Sequence, residues 1–168
     1  MSIPQAKQMR RAYGFDEVAI VPGDATVNPS MTEISLRIGE LELALPFMAA
    51  AMDAVVDPQF AIDFGKHGGL AVLNLEGVQT RYDDPAGVLE QLAATSSDDA
   101  TSLFQRLYAE PIRAELIGER IREVKQAGAV CAVSCTPVNT KKLAPVAREA
   151  GVDVLVVQST VTTARHIS

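Results

Sequence analysis

No run of apolar residues in this sequence approaches the roughly 20 that a bilayer-spanning helix needs, and the opening segment MSIPQAKQMRRAYG lacks the apolar stretch of a secretory signal. A cytoplasmic location without membrane association is therefore expected. Basic residues are scarce, with 15 Lys and Arg against 21 Asp and Glu. The net charge of -6 excludes the clustered basic face that grips nucleic acid regardless of sequence, which leaves a small molecule or a protein as partner.

Cysteine occurs only twice, at Cys131 and Cys135. Four residues apart in what reads as one strand, they lie on the same side but too far along it to bridge, so no disulfide is expected. They have no His partners to complete a metal site and no Lys, Arg or His neighbour in sequence to activate a thiol. The two histidines, His67 and His166, stand without a visible Ser or Cys partner. Phosphate-binding glycine loops are missing as well, because GGLAVLNLEG has the spacing of neither a dinucleotide fingerprint nor a P-loop.

What is present suffices for one buried core: 48% of the 168 residues are hydrophobic, and charge is mixed along the chain. ISLRIGELELAL (34–45) alternates apolar residues on both sides of Gly39-Glu40, which predicts a hairpin with a Gly-first turn and one apolar face that lids something. Four near-continuous apolar runs follow: PFMAAAM (46–52), GLAVLNL (69–75), AVCAVSC (129–135) and DVLVVQ (153–158). Strands buried on both faces of a parallel sheet look like this. Helical signals separate them. Asp57-Pro58 is an N-cap with Pro at the first helical position, Pro111 opens an amphipathic stretch stopped near Gly128, and 138–150 is a weaker helix closed by Gly151. The long interval 75–110 holds two further helix candidates, 85–94 and 98–108, each behind Asp or Ser capping residues. The order is β-α-β-(long helical region)-β-α-β.

Each run turns polar at its carboxyl end: Met52-Asp53, Asn74, Thr136 after Cys135, and Gln158-Ser159-Thr160. In parallel α/β folds these ends carry the ligand. Each residue also has a plain reading, Asp53 as a turn residue, Asn74 as a loop-backbone partner and Ser159-Thr160 as a helix N-cap. From the residues alone the reading stops at an α/β unit with a small-molecule site.

Four ordered words add a resemblance. FDEVAIVP (15–22), PFMAAAMDAVVD (46–57), GKHGGLAVLN (65–74) and DVLVVQST (153–160) resemble TFDDVLLVP, PIVSAAMDTV, GGIGVIH and DVVVLDSS of the IMP dehydrogenase and GMP reductase family. RRAYG (10–14), LNLEGVQTRY (73–82) and LYAEPI (107–112) are similar to words of its IMP-dehydrogenase-related subgroup from actinobacteria and cyanobacteria. The resemblance implies a (β/α)8 TIM barrel, tetrameric in full-length relatives. It also implies an activity, either oxidation of IMP to XMP with NAD or reductive deamination of GMP with NADPH, through a thioimidate on a catalytic cysteine.

By the same resemblance, Met52 packs on the purine base and Asp53 is the family aspartate beside it. Ala50 stands where a substrate-contacting Ser is usual; Asn74, singled out by its place at a strand end, is counted with them on the substrate side. Ser159 and Thr160 line the nicotinamide cofactor region. Gln158 replaces an aspartate that would meet the cofactor ribose, which leaves NAD or NADP open and leans toward NADPH. The interval after Leu75 is too short for the CBS pair that typical IMP dehydrogenases insert.

A whole barrel of this kind needs about 250 residues. The expectation is therefore one partial barrel domain over 1–168, the N-terminal half, with about four βα units. Its parts are an arm and hairpin (1–45), two strands (46–74), an elaborated helical connection (75–128) and two more strands (129–168). The catalytic cysteine and the potassium site fall in the other half, so the chain is expected to be inactive alone. Cys131 and Cys135, in the third strand, do not align with that cysteine. A non-enzymatic half-barrel that pairs with itself or a complementary chain is the alternative.

Overall fold

The computed structural model describes residues 11–159. The chain divides into two compact units, Met1–Glu33 and Ile34–Ser168. In the first, two single 3-10 turns organise the described residues. Glu17 Oε2 accepts the Gly14 N–H across Phe15–Glu17, and Asn28 Oδ1 accepts the Ser30 N–H to start Pro29–Met31.

The second unit opens with the hairpin. Strands β1 (Leu36–Ile38) and β2 (Leu41–Leu43) pair antiparallel in the register Leu36↔Leu43 and Ile38↔Leu41. Gly39 has φ +60 at the first turn position, a left-handed conformation that glycine adopts without strain. The ladder covers three residues per arm, shorter than the twelve-residue alternation suggests.

Four parallel strands then run in consecutive order: β3 (Met48–Ala49), β4 (Leu70–Asn74), β5 (Ala132–Cys135) and β6 (Val154–Val157). Between them lie α1 (Pro58–Lys66), α2 (Pro85–Ala93), α3 (Ser97–Ala109), α4 (Ala114–Gln126) and α5 (Pro137–Glu149). Side chains alternate across the sheet. Ala71, Leu73, Cys131, Val133 and Cys135 face a core shared with Ile62, Ile117, Ile121, Val124 and Leu143 from the helices. On the other face Leu70, Val72 and Ala132 join Leu43 of the hairpin, with Leu36, Leu41, Val154 and Val156 against them. The hairpin therefore covers the inner face, and the Leu45 N–H donates to Gly68 O to fix it just before β4. Among the described residues, β3 and β6 each have one strand neighbour, so the sheet has two open edges.

Two sequence expectations need correction. The apolar run 46–52 is a strand only at Met48–Ala49. From Ala50 the backbone turns, with Met52 N–H donating to Ala50 O and both Val55 and Val56 N–H to Met52 O. Pro111 does not open the fourth helix. The Arg113 N–H donates to Thr80 O at 2.9 Å, which holds the chain extended through the N-cap Arg113, and α4 starts at Ala114.

Candidate functional site

The polar residues at the carboxyl ends of β3, β4 and β5 are wired together through two carboxylates. Asp53, in the turn after β3, accepts the Asn74 Nδ2–H at 3.3 Å on Oδ1. Its Oδ2 accepts the Val78 N–H at 3.2 Å and the Tyr108 hydroxyl of α3. This turn fits so closely over the β4 exit that a side chain at Gly77 would occupy the space of the Asp53 carboxylate. Glycine is required there for close approach, not for an unusual φ.

Glu76 is the second carboxylate. Its oxygens accept the Thr136 N–H at 2.6 Å, the Thr136 hydroxyl at 3.0 Å and the Asn139 side-chain amide. Thr136 is the N-cap of α5 but makes no side-chain cap itself, so Glu76 serves the orphan N–H from across the sheet and places a negative charge at the positive end of the helix. Asn74 joins the two nodes, because its Oδ1 accepts the Glu76 N–H at 3.0 Å while its amide reaches Asp53.

Arg81 fastens this rim to the end of α3. Its Nε and Nη2 donate to Glu76 O at 3.1 and 3.0 Å, Nη1 donates to Glu110 O, and the guanidinium sits 5.7 Å from the Tyr108 ring centre. The Tyr82 hydroxyl adds a bond to Leu107 O at 3.0 Å. Burial, and then the Asp53 hydrogen bond and charge, hold the Tyr108 phenol above its ordinary range, so it stays a donor at neutral pH.

Beside this node lies a cleft of about 580 Å³, within the size range of small-molecule sites. Met52 and Asp53 enter it from the β3 turn, Leu89 and Leu92 from α2, and Phe104 and Tyr108 from α3. Met52 is 56% exposed and Phe104 47%, so two large apolar side chains stand half open to solvent in one recess.

Of the residues singled out in the sequence, the structure brings Met52, Asp53 and Asn74 together at this rim. Ala50 is exposed in the same turn. Gln158 and Ser159 follow β6, two strands away from Asn74. Both are exposed, with the Gln158 N–H donating to Cys135 O. Thr160 lies outside the described residues. The cysteines face the helix layer. Burial, with the Asp153 charge adding to it, pushes the Cys131 thiol up to about 12, and Cys135 Sγ is 3.4 Å from Thr140 Oγ1. Among the described residues no group of three or more His, Cys, Asp or Glu is placed to hold a metal, and no helix is long and apolar enough to cross a membrane.

Glu76, Gly77, Arg81, Phe104 and Tyr108 were not anticipated as site residues. The signal was available, since four of them sit in the words LNLEGVQTRY and LYAEPI, which are joined by the bonds from Arg81 to Glu110 O and from the Tyr82 hydroxyl to Leu107 O. Phe104 carries no motif; only its place on α3 reveals it.

Consecutive parallel strands and helices packed on one face define a segment of a (β/α)8 barrel, and its polar residues gather at the strand carboxyl ends, the side on which barrels of this kind bind ligands. The profile of the IMP dehydrogenase / GMP reductase domain matches residues 12–167. An uncharacterized oxidoreductase of Mycobacterium tuberculosis is 33% identical over 173 residues, covering 100% of this chain and 46% of its own length. The inosine-5'-monophosphate dehydrogenase of Methanocaldococcus jannaschii is 35% identical over 74 residues, covering 44% of this chain and 15% of its own length. The crystal structure of an IMP dehydrogenase/GMP reductase-like protein from Corynebacterium glutamicum superposes with a TM-score of 0.85 at 34% identity, over 95% of this chain and 44% of that one. The chain belongs to the IMP dehydrogenase / GMP reductase family, and it spans about half the length of the relatives it matches end to end.

Proposed function

We propose that this chain supplies the base-binding platform of a purine-nucleotide oxidoreductase of the IMP dehydrogenase type, which oxidises IMP to XMP with NAD. The observation that carries the reading is Met52. An apolar, adaptable side chain is held half exposed at the carboxyl end of the first parallel strand, on a turn pinned by Asp53. Asp53 and Asn74 hold that turn against β4, and three donors already reach the Asp53 carboxylate, so their part is first to position Met52. Ala50, lacking a hydroxyl, gives the nucleotide no side-chain hydrogen bond.

A nicotinamide cofactor, NAD or NADP, would meet Gln158, Ser159 and Thr160 at the end of β6 and supply the hydride exchange. The neutral Gln158 favours a second reading, a GMP reductase type using NADPH, because an uncharged residue repels a 2′-phosphate less than a carboxylate does. The domain reading is a single partial barrel domain over 1–168, in which the helical connection 75–128 takes the place of a CBS pair.

Calorimetric titration of the 168-residue chain with IMP and with GMP tests the platform. Saturable binding is expected, weakened about tenfold by Met52→Ala through loss of the buried thioether. Binding that is indifferent to Met52→Ala, or no binding of either nucleotide, contradicts it. The same chain mixed with IMP and NAD, or GMP and NADPH, is expected to leave nicotinamide absorbance unchanged, because neither of its cysteines aligns with the family nucleophile.

A further inference from the structure

The helices α2 and α3 are longer than a strand-to-strand crossover needs, yet they do not lie idle on the outside of the sheet. Their inward side chains form most of the cleft into which Met52 opens. Phe104 and Tyr108, one turn apart on α3, stack with centroids 5.7 Å apart and an interplanar angle of 30°, giving a continuous aromatic surface. That surface is fixed, because the Tyr108 hydroxyl is held by Asp53 and its ring by the Arg81 guanidinium, whereas Phe104 stays 47% exposed.

We propose that this helical insertion is itself part of the ligand site: Phe104, backed by Tyr108, stacks on the planar base of the purine nucleotide whose other contact is Met52. The assignment rests on the reading of Met52 as the base platform and extends it to a second wall. Two features of the cleft select a flat, nitrogen-rich ligand over a plain hydrocarbon. Its apolar contacts are a thioether and an aromatic pair, which suit a π-face. The Asp53 carboxylate has about four acceptor positions and three donors, which leaves one for a ring N–H.

The test compares Phe104→Ala, Phe104→Leu and Phe104→Trp with Met52→Ala, each checked by circular dichroism for an unchanged fold, in titrations with IMP and GMP. Phe104→Ala and Phe104→Leu are expected to weaken binding about tenfold, as loss of one base–aromatic stack does, while Phe104→Trp binds as the parent does. The sequence contains no tryptophan, so the introduced indole is a unique reporter, and its fluorescence is expected to be quenched with the midpoint seen by calorimetry. Binding that Met52→Ala weakens but Phe104→Ala and Phe104→Leu leave intact, with an unquenched indole, overturns the second wall and spares the platform. Binding sensitive to Phe104 but indifferent to Met52→Ala overturns the platform and with it the paired contact proposed here. Absence of nucleotide binding in the parent chain overturns both.

Discussion

The helix-facing core and the carboxyl-end rim of the same sheet are held by different forces. In the core, Ile117, Ile121, Val124 and Val133 are 0% exposed and interlock without any polar contact, so stability there follows apolar area and fit. At the rim, two carboxylates gather directional hydrogen bonds from β4, α3 and the start of α5, and this leaves Met52 and Phe104 uncovered. Packing builds the frame, while charge-assisted hydrogen bonds build the site and keep it open. A core substitution should therefore cost stability without altering affinity, and a rim substitution should affect both.

The largest expected stability loss is in the core. Ile121→Ala removes a fully buried side chain and is expected to cost about 2–5 kcal/mol in urea unfolding, with nucleotide affinity per folded molecule unchanged. Gly77→Ala comes next, at about 1–3 kcal/mol, because the new methyl group must displace the Asp53 carboxylate. Unlike the core change it is expected to abolish detectable nucleotide binding by calorimetry, since the turn that presents Met52 moves with Asp53. Equal affinity loss from both substitutions would erase the distinction.

Tyr108→Phe keeps the ring and removes its donated bond to a carboxylate, an expected loss of about 1.5 kcal/mol by thermal unfolding. It also has a pH signature. The folded chain raises Tyr108 and Tyr82 above 10.0 and Cys131 from 9.0 to about 12, so their protonated forms favour the fold. That stability is whole below about pH 9 and drains away as pH rises toward 12. Tyr108→Phe is expected to shallow this alkaline decline when melting temperature is followed against pH. The smallest effect belongs to the exposed pairs of Arg113 with Asp83 and Glu115, whose carboxyls the guanidinium holds below their usual range. Asp83→Asn is expected to leave the melting temperature nearly unchanged at neutral pH. Its slight effect should vanish as pH falls through the carboxylate range, where the native pair protonates.

The frame was largely legible in the sequence. Continuous apolar runs marked β4, β5 and β6, and the Asp57-Pro58 cap marked the start of α1, with the Phe60 N–H donating to Asp57 Oδ1 at 2.7 Å. The run 46–52 misled because alanine and methionine suit a strand and a turn equally, and the choice was made by the Met52 carbonyl accepting two backbone N–H groups. Pro111 misled because the competing bond from Arg113 to Thr80 is non-local. At the candidate rim, Met52, Asp53 and Asn74 were legible as strand-end residues, because a polar turn after an apolar run is a local signal. The links from Asp53 to Tyr108 and from Glu76 to Asn139 span 55 and 63 residues, and no spacing rule reaches that far.

The most direct test labels the methionine methyl groups with ¹³C and follows their NMR resonances while IMP is added to the 168-residue chain. Met52, at the mouth of the cleft, is expected to shift progressively and saturate. A spectrum in which Met52 stays still while IMP binds would contradict the placement of the ligand at the carboxyl-end rim.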